Sequence, residues 1–118
     1  MGRESYDIGQ TGEDVAVQYL RAKGYVILER NYHSQQGEID IIAKDADFLV
    51  FVEVKNYSFR SISSPLGAIR RAKKDSIIHA ARTYLYKNNI KNVNCRFDVL
   101  SICNSSHYQL IKDAFHVN

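Results

Sequence analysis

The stretch GEIDIIAKDADFLVFVEVK, residues 37 to 55, leaves few folds open to this chain. Two runs of β-branched, aromatic and aliphatic residues, EIDIIA and FLVFVEVK, flank the polar turn KDAD, the pattern of a β-hairpin inside a sheet. Yet the runs carry Glu38, Asp40, Glu53 and Lys55. If KDAD closes the hairpin, Ala43 faces Phe48, and counting outward sets Asp40 opposite Phe51 and Glu38 opposite Glu53. Asp40 and Glu53 then become diagonal neighbours on one face, roughly 7–8 Å apart at the backbone, close enough for both carboxylates to reach one cation. Lys55, two residues beyond Glu53, points the same way. Facing acids destabilise a sheet, and a partly buried carboxylate resists ionisation without a positive partner. A divalent cation would relieve both, and oxygen ligands favour Mg2+ or Mn2+. The plainer reading keeps these charges at strand ends, with Glu53 paired to Lys55.

The rest of the chain supplies the surroundings. Residues 9 to 23 read as a helix, with Thr11 as N-cap, acids in the first turn, Ala16, Val17 and Leu20 on one side and Gly24 as the stop. GYVILERNY then reads as a strand that meets EIDIIA through the turn HSQQG. After FLVFVEVK, a loop leads to Pro65 and a second helix whose apolar positions run from Leu66 to Leu85. CRFDVLSI reads as a strand and YQLIKDAF as a weaker one. The expected order is helix, three strands, helix, one or two strands. With 118 residues and 45% hydrophobic content, one domain spanning 1–118 is expected.

No stretch approaches the ~18 apolar residues of a membrane span, and the first residues lack the apolar block of a signal peptide, so a cytoplasmic protein without a membrane partner is expected. Cys95 and Cys103 have no neighbours at metal-ligand spacing and are expected to be free thiols. The four histidines are scattered without ligand spacing. Net charge is only +3, so the placement of basic residues matters more than their sum. Tyr57, Phe59, Arg60, Arg70, Arg71, Lys73 and Lys74 form a basic and aromatic cluster directly after the hairpin, where a phosphate backbone could run. A solvated helix face beside an ordinary loop is the alternative. Arg96 and Asp98 share strand parity, and a structural ion pair is the default for them.

The series GE in the first helix, GYVILERNY, GEIDIIA, FVEVK, the basic helix with Lys73, and RFDV followed by IKDAF resembles the YraN-like family of uncharacterised bacterial proteins. That family's fold resembles restriction endonucleases and archaeal Holliday junction resolvases. The resemblance spans nearly the whole chain, and GEIDIIA with FVEVK is its most specific part. It implies an α/β, restriction-endonuclease-like fold, a central mixed sheet flanked by helices in the order α-β-β-β-α-β with a further C-terminal strand. Residue by residue, the Asp/Glu-x-Lys nuclease motif falls on Asp40, Glu53 and Lys55, with Glu13 matching the first-helix acid and Lys73 the lysine of the second long helix. Family members often carry a basic residue two positions after the motif lysine, where this chain has Tyr57.

By position alone, Glu13 lies three, four and seven residues before Ala16, Val17 and Leu20, on the inward side, although a first-turn Glu also simply suits the helix dipole. Lys73 lies four residues from both Ile69 and Ile77, and can lift its ammonium along that stripe toward the sheet. Lys74 fits a solvated face better. The expected chemistry is metal-dependent phosphodiester hydrolysis. Asp40, Glu53 and the Val54 carbonyl would hold Mg2+ or Mn2+, Glu13 would be a further ligand or supporting acid, and Lys55 would act on water or developing charge. The substrate would be nucleic acid, with DNA foremost and branched DNA among the candidates; a symmetric four-way junction would call for a homodimer. The rival is a module of the same fold that binds nucleic acid through the basic segment and cuts slowly or not at all. A small adaptor with an idle acidic cluster is a third reading.

Overall fold

The computed structural model describes residues 12–57, 70–104 and 106–117. Helix α1 (Glu13–Ala22) is followed by the strands β1 (Val26–Ser34), β2 (Gly37–Asp45) and β3 (Phe48–Tyr57), helix α2 (Arg71–Lys87), and the strands β4 (Asn94–Cys103) and β5 (His107–Phe115). The five strands form one sheet in sequence order, β1-β2-β3-β4-β5. All neighbours are antiparallel except β3 and β4. A parallel pair requires a crossover, and the segment containing α2 is that crossover. The mixed sheet and the order α-β-β-β-α-β-β match the expected fold.

The sheet separates two cores. On one face, Ala16, Val17 and Leu20 of α1 pack with Ile41, Ala43, Val50, Val52, Leu100 and Ile102. On the other, Ile77, Ala80, Ala81 and Tyr84 of α2 pack with Ile39, Ile42, Leu49, Phe51, Phe97 and Val99. Alternate β3 residues serve opposite cores, as period-two geometry dictates, which leaves Glu53 and Lys55 on the α2 side with Leu49 and Phe51.

Several local expectations need correcting. Helix α1 begins after Gly12, which has no side-chain cap, and Thr11 lies outside the described residues. The helix expected from Pro65 is described only from Arg71, so Leu66 and Ile69 lie outside the described residues, as do Phe59 and Arg60 and the side chain of Tyr57. The turn between β2 and β3 is not the four residues KDAD but Ala46 and Asp47 alone, because Ala46 takes a left-handed conformation, φ 53°, that reverses the chain in two residues. The pairing is therefore Ala43 with Val50 and Ile41 with Val52. Continued one step, that register sets Asp40 level with Glu53, not with Phe51, and Glu38 is not the partner of Glu53.

The two helices treat their N-termini in opposite ways. α1 opens with Glu13 and Asp14, charges that the positive end of a helix favours. α2 opens without an acid and carries Arg71, Lys73 and Lys74 in its first residues, against the dipole. Cys95 and Cys103 are free thiols. Among the described residues no helix is long and apolar enough to cross a membrane.

Candidate functional site

The sheet forks at Asp40. Pairing of β2 with β3 ends at Ile41 and Val52, whereas β1 follows β2 to Ser34 and Gly37, and β4 follows β3 to Tyr57 and Cys103. Alternation in β2 also breaks here, since Ile39 and Ile41 enter cores on opposite faces of the sheet. Across from Asp40, Asn31 takes φ 53° and drops out of the ladder between the pairs Arg30–Ile41 and Tyr32–Ile39. The Val54 N–H, left without a β2 backbone partner, donates instead to Asp40 Oδ2 at 2.8 Å. A carboxylate thus takes the place of a ladder bond at the crotch of the fork. The carbonyl and N–H of one strand residue leave on the same side, so the Val54 carbonyl also faces β2.

Glu53 sits at the same level with only 5% of its surface exposed, and its Oε1 is buried without a hydrogen-bond partner. Its other oxygen lies 3.8 Å from Lys73 Nζ, an ion-pair distance too long for a hydrogen bond. Burial and then the adjacent Asp40 carboxylate push Glu53 up to about 8, against the smaller opposing pull of Lys73 and Lys55. The lysines offset only part of that rise. Glu53, Lys55, Arg70, Ala72, Lys73 and Ser76 line an open cleft of about 550 Å³. The Ser76 hydroxyl is engaged, donating to the Gln36 carbonyl at 3.1 Å.

A family model described as "Uncharacterised protein family UPF0102" matches residues 12–102. The chain belongs to the UPF0102 family. Relatives include a UPF0102 protein of Persephonella marina, 46% identical over 110 residues that cover 93% of this chain and 94% of that one. Another, from Clostridium kluyveri, is 40% identical over 116 residues, covering 94% and 95% of the two chains.

Glu13 does not join the two acids of this UPF0102 chain. Its Oε1 accepts from Arg30 Nε at 3.2 Å and from Asn31 Nδ2 at 2.9 Å, and Asp14 also pairs with Arg30. Among the described residues no three His, Cys, Asp or Glu side chains gather into a metal-holding group. Glu13 instead grips Asn31, the residue whose left-handed backbone stands across from Asp40, so it acts on the fork from behind. Arg70 lines the cleft, but Arg71 and Lys74 do not: they border a separate groove on α2, and Lys74 Nζ lies 5.9 Å from the Phe115 ring centre.

Gly37 escaped the reading of the UPF0102 sequence. A Cβ there would fall 2.1 Å from Ser76 Oγ and 2.5 Å from the Ser76 carbonyl oxygen. The hydroxyl could swing away, but the helix backbone could not. The glycine that opens GEID therefore lets α2 lie directly on the start of β2, one turn from Lys73. A glycine at the start of a strand was the only signal, and close backbone approach is one of the reasons for such a residue.

Proposed function

We propose that this UPF0102 chain is a divalent-metal-dependent nuclease that hydrolyses phosphodiester bonds in nucleic acid, with DNA as the expected substrate. The observation that carries the reading is the buried, unpartnered oxygen of Glu53, level with Asp40 in a cleft bordered by cations. Mg2+ suits such a donor set, because it takes one or two carboxylates and keeps several waters. Asp40, Glu53 and the Val54 carbonyl would hold Mg2+ or Mn2+, without Glu13. When bound, the ion would set positive charge against the phosphate and make nearby water more acidic.

The chain's own groups do the remaining work. The Val54 N–H fixes the rotamer of Asp40 beside Glu53. Lys73 helps keep Glu53 ionised once a further cation is present. Lys55, on the cleft wall, orients the attacking water or neutralises charge as the phosphorus–oxygen bond breaks, and Arg70 receives a non-bridging oxygen. Among the described residues the hydroxyl on the wall is that of Ser76, which is already donating, so attack by water fits better than attack by a side chain.

The test is cleavage of labelled linear, flapped and branched DNA and RNA with Mg2+, Mn2+ or EDTA. Cutting should need the metal, Asp40→Asn should bind but not cut, and folded Lys55→Ala should cut at least ~100-fold more slowly. Cutting that persists in EDTA, or at full rate in Lys55→Ala, would reject the mechanism. One observation favours a second reading, a nucleic-acid-binding module that does not cut: Arg30 and Asn31 hold Glu13, so it does not join Asp40 and Glu53. Undetectable cleavage in Mn2+ with intact binding would decide for it.

A further inference from the structure

The groove on the outer side of α2 is the second cationic feature of the chain. Arg71, Lys74, His79 and Arg82 line it along one helical face, and His116, beyond β5, closes it, enclosing about 340 Å³. Among the described residues, Asp75 is the acid on its wall. His116 is oriented by Asp113, 3.4 Å away, and Lys74 is steered across the Phe115 ring. These cations do not stabilise the helix that carries them, because Arg71 and Lys74 stand at its positive end without an acid in the first turn. No carboxylate pairs with Arg71, Lys74 or Arg82 among the ion pairs of the described residues.

The dimensions select an occupant. Eleven residues separate Arg71 from Arg82, so the row runs ~16 Å at 1.5 Å per residue. That is too long for a single phosphate and long enough for several successive phosphates of one strand. The groove also begins where the catalytic cleft ends. Arg70 lines the cleft and Arg71 the groove, and adjacent Cα atoms are ~3.8 Å apart, less than the reach of one nucleotide.

We infer that this groove is a second phosphate track, which holds the nucleic-acid strand on one side of the phosphate seated in the cleft. The first turn of α2 is then a divider, sending Arg70 and Lys73 to the reacting phosphate and Arg71 and Lys74 to the flanking backbone. The inference rests on the proposed nucleic-acid function but not on cleavage.

The experiment measures binding in EDTA by fluorescence anisotropy, using single strands of about 4 and about 16 nucleotides, the range of site sizes that short and long tracks span. Each phosphate contact contributes a salt slope of about −0.7 on single strands, so extrapolation to 1 M predicts that losing one weakens binding roughly fivefold at 0.1 M salt. Arg82→Ala should lower the slope and affinity by these amounts for the long strand, and leave the short strand unaffected. Arg82→Lys should restore most of both. Arg21→Ala, in the last turn of α1 on the opposite face, is the control and should change neither. Thermal melts verify folding of each variant. Unchanged affinity and slope in folded Arg82→Ala overturn the track, as does equal weakening of the short strand or equally strong competition by polyglutamate. If the protein binds with this dependence yet never cuts, the nuclease reading fails and the track stands.

Discussion

Glu53 and Asp98 lie on neighbouring strands, with 5% and 0% of their surfaces exposed, and face opposite sides of the sheet. Asp98 is fully served. Its Oδ1 accepts from Arg96 Nε at 2.9 Å and from the Asp113 N–H at 3.0 Å, and its Oδ2 accepts from the Tyr25 hydroxyl at 2.6 Å and from Arg96 at 2.9 Å. Arg96 also donates to Asp45 at 2.7 Å, and Lys112 reaches Asp45 at 3.2 Å. Glu53 has one loose lysine and an oxygen with no partner. Hydrogen bonds from Arg96 and Lys112 hold Asp45 below its ordinary range, whereas burial and Asp40 raise Glu53. A buried charge kept for the fold is surrounded until every lone pair is used. Glu53 is left short of partners, and under the proposed function that deficit is where a ligand is expected.

Removing a carboxylate should therefore have opposite consequences in the two places. Asp98→Asn strips Arg96 of its main counter-charge inside the protein and should cost roughly 3–5 kcal/mol in urea unfolding. A loss under ~1 kcal/mol would dissolve the contrast, since surface-grade pairs give that much. Gly37→Ala tests the site's support. It overpacks β2 against α2 and should cost about 1–3 kcal/mol, with the larger effect on cleavage because Lys73 moves with the helix. An alanine variant of full stability and activity would show that α2 has room to shift.

The smallest effect sharpens the comparison by pH. An acid whose folded pKa lies above its unfolded value gives stability that is present below about 4.5 and lost as pH rises through about 8. In EDTA, the Glu53 contribution should decline across that window, and Glu53→Gln should remove the decline, with a gain on the order of 1–2 kcal/mol at pH 8. Asp45 runs the other way, its depressed pKa giving stability that is lost on acidification. Saturating Mg2+ at pH 8 should stabilise the wild type and not Glu53→Gln. If both respond alike, Glu53 is not a ligand.

Much of this arrangement was legible in the sequence because it is local. Period-two runs announced the strands, the spacing of Ala16, Val17 and Leu20 oriented α1, and the acids of GEID and FVEV stood out against apolar neighbours. The register was misread by two residues, because an alanine at φ 53° gives no compositional sign of a two-residue turn. The kink at Asn31 was hidden for a similar reason, though Asn tolerates left-handed backbone better than most residues. Between the two roles expected of Glu13, ligand or supporting acid, the sequence offered no choice, because its partner Arg30 is brought to it only by the packing of α1 on the sheet. The Tyr25–Arg96–Asp98–Asp45–Lys112 network joins separated segments, and only the Arg96–Asp98 pair within it has a local signature.

The single parallel pairing has a kinetic consequence. β1, β2 and β3 are joined by turns at residues 35–36 and 46–47, so their meander forms from contacts close in sequence. β4 can join β3 only after the chain from residue 58 to 93 has returned, and the entropy of closing that excursion delays it. Asp40 and Glu53 are thus set side by side in the early meander, while Lys73 arrives with the late crossover. Folding should then proceed against a carboxylate repulsion that the finished protein partly relieves. In stopped-flow refolding, Mg2+ or a drop from pH 8 to pH 5 should accelerate the folding limb, whereas Lys73→Ala should act mainly on unfolding. A Lys73→Ala variant that slows folding instead would place α2 in the nucleus.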